Sequence, residues 1–319
     1  MNSDKEYRFS PEVNLLQPII PIICVGKIGI AVADDLHHLD IKNTHIIICD
    51  TELAALKASS VAAKAFLPAS AENEYIKNEW VTEVMCPFLE SYTYVVVVAD
   101  LNEPVSYHVA PIVLEVAKEK GCFSIGLIRR STELGWQKRP ADALTAVQYY
   151  AQSVVLFEQH LMDYEAQICQ LADTVRALVE ICLPVGQQTH PEDVKEVRKL
   201  MQPTGQIAVV IAAGTGDERA TKAVNNVIAV LERQSFDIRL TERAMLVMIS
   251  SAEHPLMLRE QMAVVNALTD RISEELRVFK FGTVQDPWLG DKLQMNLLLW
   301  QPINHTSIAT EISPDRNRC

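Results

Sequence analysis

Uninterrupted apolar runs alternate with stretches whose apolar residues recur every three or four positions, and this alternation dominates the first half of the chain. Ile19 to Val25 is a β-rich run, Gly26 and Gly29 mark a turn, and Ile30, Val32, Ala33 and Leu36 continue at helical spacing. The scheme repeats with a strand at 45–49, a turn at Asp50-Thr51 and a helix in TELAALKAS. SYTYVVVVAD and CFSIGLIRR are two more buried strands, separated by a helix from about 109 to 119. Continuous apolar strands alternating with helices imply a parallel sheet covered on both faces, so this half is α/β and doubly wound.

From 156 to 182 the pattern predicts one long helix, with Leu161, Tyr164, Ile168, Leu171, Val175, Leu178 and Cys182 on a single face. At 1.5 Å per residue it would run roughly 40 Å, and Leu183-Pro184-Val185-Gly186 ends it. Beyond Gln202 the order is strand (GQIAVVIAAG), helix, strand (AMLVMISS), helix, then two strands (RVFKFGTV and KLQMNLLLW). That βαβαββ order predicts a smaller α+β domain with helices on one face of a mixed sheet. The expected organisation is a polar arm (1–17), a Rossmann-like domain (18–155), a central connecting helix (156–183), the α+β domain (184–302) and a short, loose tail (303–319).

Charge narrows the partners. The formal net charge is −12 over 319 residues, a sign that repels nucleic acid and anionic membranes, so neither is expected as a partner. The densest basic group, Arg129, Arg130, Lys138 and Arg139 around Trp136, reads as a solvated loop after a strand. Seven scattered cysteines with no CxxC argue for a reducing cytoplasm and against both disulfides and zinc. The polar start MNSDKEYRFSPEVN is no signal peptide, and no apolar stretch reaches membrane-spanning length. His37, His38 and His45 read as surface histidines rather than metal ligands, and no metal is expected.

Three turns invite a phosphate-binding reading. VGKIGIAVA places Gly26 and Gly29 where a helix N-terminus can hold an anion. A dinucleotide fingerprint there would need glycine at 26, 28 and 31, and Ile28 and Ala31 break it; Asp50 at the next strand end could mimic a ribose acid. AAGTGDERA lacks the Lys-Ser/Thr of a P-loop and reads as a tight turn capped by Asp217. The third turn, Asp100 to His108, contains no glycine: Asp100 and Glu103 bring negative charge, Pro104 lacks an N–H, and Tyr107 and His108 would fill the space of a phosphate.

The succession VGKIGIAVADDL, DTELAAL, APIVLEVAKEKG, PEDVKEVRKLM and GTGDERATKAVNNVIAVLE, with AMLVMIS after it, resembles the tubulin superfamily and within it the FtsZ-like proteins. The resemblance spans about 18 to 301 and implies a GTP-binding, filament-forming fold. It also shows what has changed. The family's GGGTGTG falls on Asn102 to His108 with none of it kept; the first phosphate loop keeps only Gly26 and Gly29; and Asp173 stands where the resemblance places a guanine-reading acid. At the catalytic NxDxxD loop only Asp193 remains, and His190 replaces the first acid. These departures give the expectation of a protein without GTP hydrolysis and without a cofactor. It would act through self-association, head to tail or as a dimer, or through a protein partner. The alternative is an unusual GTPase holding GTP or GDP with Mg²⁺ by Gly26, Gly29 and Asp173, with Asp193 as its sole acid. An NAD(P)-linked oxidoreductase is the weaker third reading.

Overall fold

The structure, a computed structural model, describes residues 19–39, 41, 43–67, 78–90, 92–130, 138–158, 164–182, 199–202, 204–233, 236–272 and 274–303. Ten strands form one sheet: β1 (Ile20–Val25), β2 (Thr44–Asp50), β3 (Ala63–Phe66), β4 (Tyr94–Asp100), β5 (Phe123–Arg130), β6 (Ser153–Glu158), β7 (Gly205–Gly214), β8 (Arg243–Ser250), β9 (Val278–Gln285) and β10 (Leu293–Pro302). Their order is β3-β2-β1-β4-β5-β6-β7-β10-β8-β9. The first seven run parallel, β10 is antiparallel to both of its neighbours, and β8 and β9 are parallel to each other. This is the predicted doubly wound half followed by a mixed sheet. The two halves are joined edge to edge through a short β6–β7 pairing, Ser153 with Gly205 and Val154 with Gln206.

Eight helices among the described residues cover the sheet: α1 (Gly26–His38), α2 (Leu53–Ala58), α3 (Asn78–Leu89), α4 (Pro104–Glu119), α5 (Lys138–Tyr150), α6 (Tyr164–Cys182), α7 (Arg219–Arg233) and α8 (Leu258–Thr269). Every residue of β1 and β4 is buried, as strands covered on both faces require. One core lies beneath α1 and α6, where Leu36, Leu171 and Val175 meet Ile22, Val96, Ile125 and Trp300. A second lies beneath α3, α4 and α5. A third, under α7 and α8, gathers Val224, Val227, Val264 and Leu268 against Leu246, Met248 and Leu297.

The boundary of the long helix needs correction. Residues 153–158 form β6 rather than the start of the helix, and α6 is described over Tyr164–Cys182, 19 residues that run about 28 Å. Val154, Val155, Leu156 and Phe157 are all buried, a strand covered on both sides whose apolar run happens to continue the phase of the following helix. The helix after β4 also begins earlier than expected, at Pro104 rather than near 109. Proline suits this first position, since its φ is already helical and its missing N–H is not needed there. No helix among the described residues is long and apolar enough to cross a membrane.

Candidate functional site

The parallel strands of the first half point their carboxyl ends to one edge of the sheet, and there the turns after β1, β2 and β4 come together. In an open α/β sheet this is the edge that receives ligands. Helix α1 begins there at Gly26, and its N-cap Val25 makes no side-chain capping bond. Gly26 has φ +77°, a left-handed conformation that favours glycine. Gly29 is required for a different reason: a Cβ there would stand 2.8 Å from the backbone carbon of Cys24, so the helix could not lie this close to β1.

The exposed donors of α1 are taken from within the chain. The Glu103 carboxylate, 76 and 75 residues away in sequence, accepts from Lys27 N at 2.8 Å and Ile28 N at 3.2 Å. Glu103 is itself the N-cap residue of α4, yet makes no side-chain cap there and caps α1 instead. Ser106 fixes it: its Oγ donates to Val25 O at 3.0 Å and lies 3.4 Å from Glu103 Oε2. A Cβ on Gly26 would meet Glu103 Oε2 at 2.1 Å and Ser106 Oγ at 2.5 Å. The hollow at the α1 N-terminus, where backbone N–H groups and the helix dipole favour an anion, is filled by a carboxylate of the protein.

Around Glu103 stand further acids. Asp100 is buried; it accepts from Asn102 N at 3.0 Å and Asn102 Nδ2 at 2.6 Å, and forms an ion pair with Arg129. The Arg129 guanidinium also donates from Nε to Gln167 Oε1 at 2.8 Å, tying the first turn of α6 to the sheet. Asp50 is 2% exposed; its Oδ1 accepts from Glu52 N at 2.9 Å, while its buried Oδ2 has no hydrogen-bond partner among the described residues. Burial, followed by the charges of Asp100 and Asp50, holds the Glu103 carboxyl above the ordinary range, against the pull of its two N–H bonds. Burial first and the Glu103 charge next push the Tyr164 phenol up as well. Outside, Lys27 reaches Glu52 at 3.5 Å in an exposed pair.

The structure thus brings together Gly26, Glu103, Asp50 and Asp100 of the expected site and rearranges the rest. Tyr107 does not fill the cradle: it packs against the core under α3, α4 and α5, and Glu103 with Ser106 takes that place. His108 is half-buried on α4. Asp173 faces solvent on α6, on a different side from Gln167, and pairs with Arg176 at 3.1 Å. Arg129, expected in a solvated basic loop, is buried as the counter-charge of Asp100. His190 and Asp193 lie outside the described residues. Among the described residues no group of histidines, cysteines and acids is arranged to hold a metal. His45 bonds the Tyr92 hydroxyl at 2.8 Å, with burial lowering its pKa.

At the same edge, the turns of the second half are locked by a residue that periodicity did not single out. Arg219, at the start of α7, donates to both Glu260 oxygens at 2.8 and 3.0 Å and to the carbonyls of His254, Pro255 and Asp291. It joins three connections with one guanidinium. The AAGTGDERA stretch is the expected tight turn, with Gly216 at φ +75°. Asp291 accepts its Gly216 N–H at 3.3 Å, and the helix that follows begins at Arg219.

A parallel sheet in Rossmann order, a helix descending beside it and a mixed sheet beyond define the class of the fold: a doubly wound α/β half continued by an α+β half. No family model matches the chain. Its sequence is 20% identical to the cell division protein FtsZ of Rickettsia bellii, over 97% of this chain and 74% of that protein. It is 22% identical to FtsZ of Caulobacter vibrioides strain NA1000, over 91% of this chain and 61% of that protein. For FtsZ of Rickettsia typhi the chain spans only 54% of the relative. Among solved structures, an empty FtsZ dimer from M. jannaschii superposes with a TM-score of 0.71 at 16% identity, covering 91% of this chain and 89% of the other. A GTPgS-bound protofilament of CetZ2 from Haloferax volcanii superposes with a TM-score of 0.67 at 16% identity, covering 88% and 92%. Fold and sequence agree: the chain resembles FtsZ at low identity and has the fold of the tubulin/FtsZ superfamily.

Proposed function

We propose that this chain is a non-catalytic FtsZ-like protein, a cytoplasmic scaffold or regulator that works through protein contacts and needs no nucleotide. The observation that carries the reading is the Glu103 carboxylate on the N–H groups of Lys27 and Ile28. A phosphate placed at the start of α1 would compete for donors already satisfied and would approach Asp50, Asp100 and Glu103. Arg129, the buried cation, is engaged by Asp100 and Gln167. With the site closed from within, the fold is left with its surfaces. The superposed structures include an FtsZ dimer and a CetZ2 protofilament, and self-association or binding to an FtsZ-like partner is the corresponding role here. Chromatography of the denatured, freshly purified protein tests the reading. No guanine nucleotide should be released, and phosphate release from Mg²⁺-GTP should stay at background. Stoichiometric GDP, or turnover abolished by Asp193→Ala, would overturn it in favour of a working GTPase.

A further inference from the structure

Among the described residues the sheet ends on one side in a long strand with no further strand beside it. β9 pairs with β8 and lies last in the strand order, whereas β3 at the opposite edge has four residues. Val278 N and Asp286 N donate toward β8, to the carbonyls of Glu242 and Ser250. Peptide groups alternate sides along a strand, so the N–H and C=O of Phe279, Phe281 and Thr283 point outward, away from β8. Natural edges are blunted by proline, bulges or charged side chains, lysine above all, and of these β9 carries one, Lys280. β9 keeps register with β8 over all eight residues, without a bulge. From Leu276 to Gln285 there is no proline and no acid, in a chain of net charge −12. Phe281 at its centre is 50% exposed, and Trp288, just past its end, is 92% exposed.

We propose that β9 is a self-association edge, which pairs antiparallel with β9 of a second copy about a two-fold axis through Phe281. The strand is self-complementary in this direction alone. Antiparallel pairing sets Phe281 against its counterpart and Phe279 against Thr283 twice, an arrangement of about six new backbone hydrogen bonds. It brings Arg277, at the basic start of each strand, beside Gln285 and Asp286 at the other's end, and it lays each Trp288 over the start of the facing strand. Parallel pairing would instead set Arg277 against Arg277 and Lys280 against Lys280. Because the antiparallel contact is isologous, it closes at a dimer, unlike a head-to-tail contact, which extends. The proposal does not depend on whether nucleotide binds, so a GTP titration and the experiment below fail separately.

Sedimentation velocity of the full chain from about 1 to about 200 µM, with and without GTP, tests it, since a closed dimer shows two species linked by mass action. The wild type should pass from monomer to dimer, and the tryptophan emission should shift to the blue as Trp288 is covered. Thr283→Pro deletes an outward N–H and leaves the β8 ladder intact, and Phe281→Lys places like charges on the axis. Each should weaken dimerisation at least tenfold while the circular dichroism melt stays that of the wild type. If either variant melts early, Trp288→Ala, at a side chain 92% exposed, reads the same contact by sedimentation. A monomer throughout the range, or association that survives the well-folded variants, would overturn the proposal.

Discussion

Replacing Arg129 with methionine keeps the length and apolar stem of the side chain and removes the charge that faces Asp100. The guanidinium is nearly as buried as the carboxylate it pairs with. Breaking a buried pair by deleting one partner leaves an uncompensated charge and costs about 3–5 kcal/mol. Here the stranded carboxylate would sit beside Glu103 and Asp50, and Gln167 would lose its donor, so the upper part of that range applies. With a urea m-value of about 2–3 kcal/mol/M the unfolding midpoint should fall by about 1–2 M at pH 7.5. The pH dependence identifies the cause. Without Arg129 the stranded buried charge is relieved by proton uptake in the native state, so the deficit should shrink as pH falls from 7.5 to 5.5. Urea denaturation of both proteins at the two pH values, followed by circular dichroism, measures this. A deficit below about 1 kcal/mol, or one equal at both pH values, would refute the view that this guanidinium holds the acid cluster together.

Other consequences of the geometry are as direct. Gly26→Ala forces a side chain into a left-handed position and against Glu103, and should cost about 2–3 kcal/mol in the same denaturation assay. Arg219→Ala empties the clamp on three connections and should cost about 3–5 kcal/mol, with faster hydrogen exchange at residues 251–257 and 286–292 as the local readout. The Arg219 hydrogen bond holds the Glu260 carboxyl below its ordinary pKa. Its contribution is therefore complete above the usual glutamate range and lost as pH falls through the depressed value, and Glu260→Gln should flatten that part of an acid titration. Burial pushes the Cys49 thiol up to about 12 and Cys24 higher still. A disulfide exchange reagent should label exposed Cys169 in the native protein and reach Cys24 and Cys49 only after unfolding.

What the sequence revealed, and what it hid, follows from the range of each interaction. The buried runs of β1, β2, β4 and β5 and the βαβαββ order of the second half are local patterns, and the structure keeps them. β6 was absorbed into the following helix because Val154 to Phe157 continue its apolar phase. α3, with Pro87 inside it, and α5, opening on Lys138-Arg139-Pro140, carry signals that argue against helix, and neither was anticipated. The loss of phosphate-loop glycines was readable residue by residue. Its replacement was not, because Glu103 meets Lys27 across 76 residues and only the adjacency of β1 and β4 brings them together. Arg129 looked like a surface base next to Arg130, yet β5 turns the two to opposite faces and sends Arg129 inward to Asp100. An acid at the end of β4 and a base at the end of β5, in register as Asp100 and Arg129 are, is the signal that could have found the pair.

The closed site is the claim on which the functional reading stands. Calorimetric titration of nucleotide-free protein with GTP and GDP in Mg²⁺ buffer tests it most directly, with ATP as a comparison. The Glu103 plug predicts no heat of binding beyond dilution from a fully folded protein. Saturable, stoichiometric binding of guanine nucleotide at micromolar strength would show that the carboxylate yields its place on α1 to a phosphate, and would contradict the account.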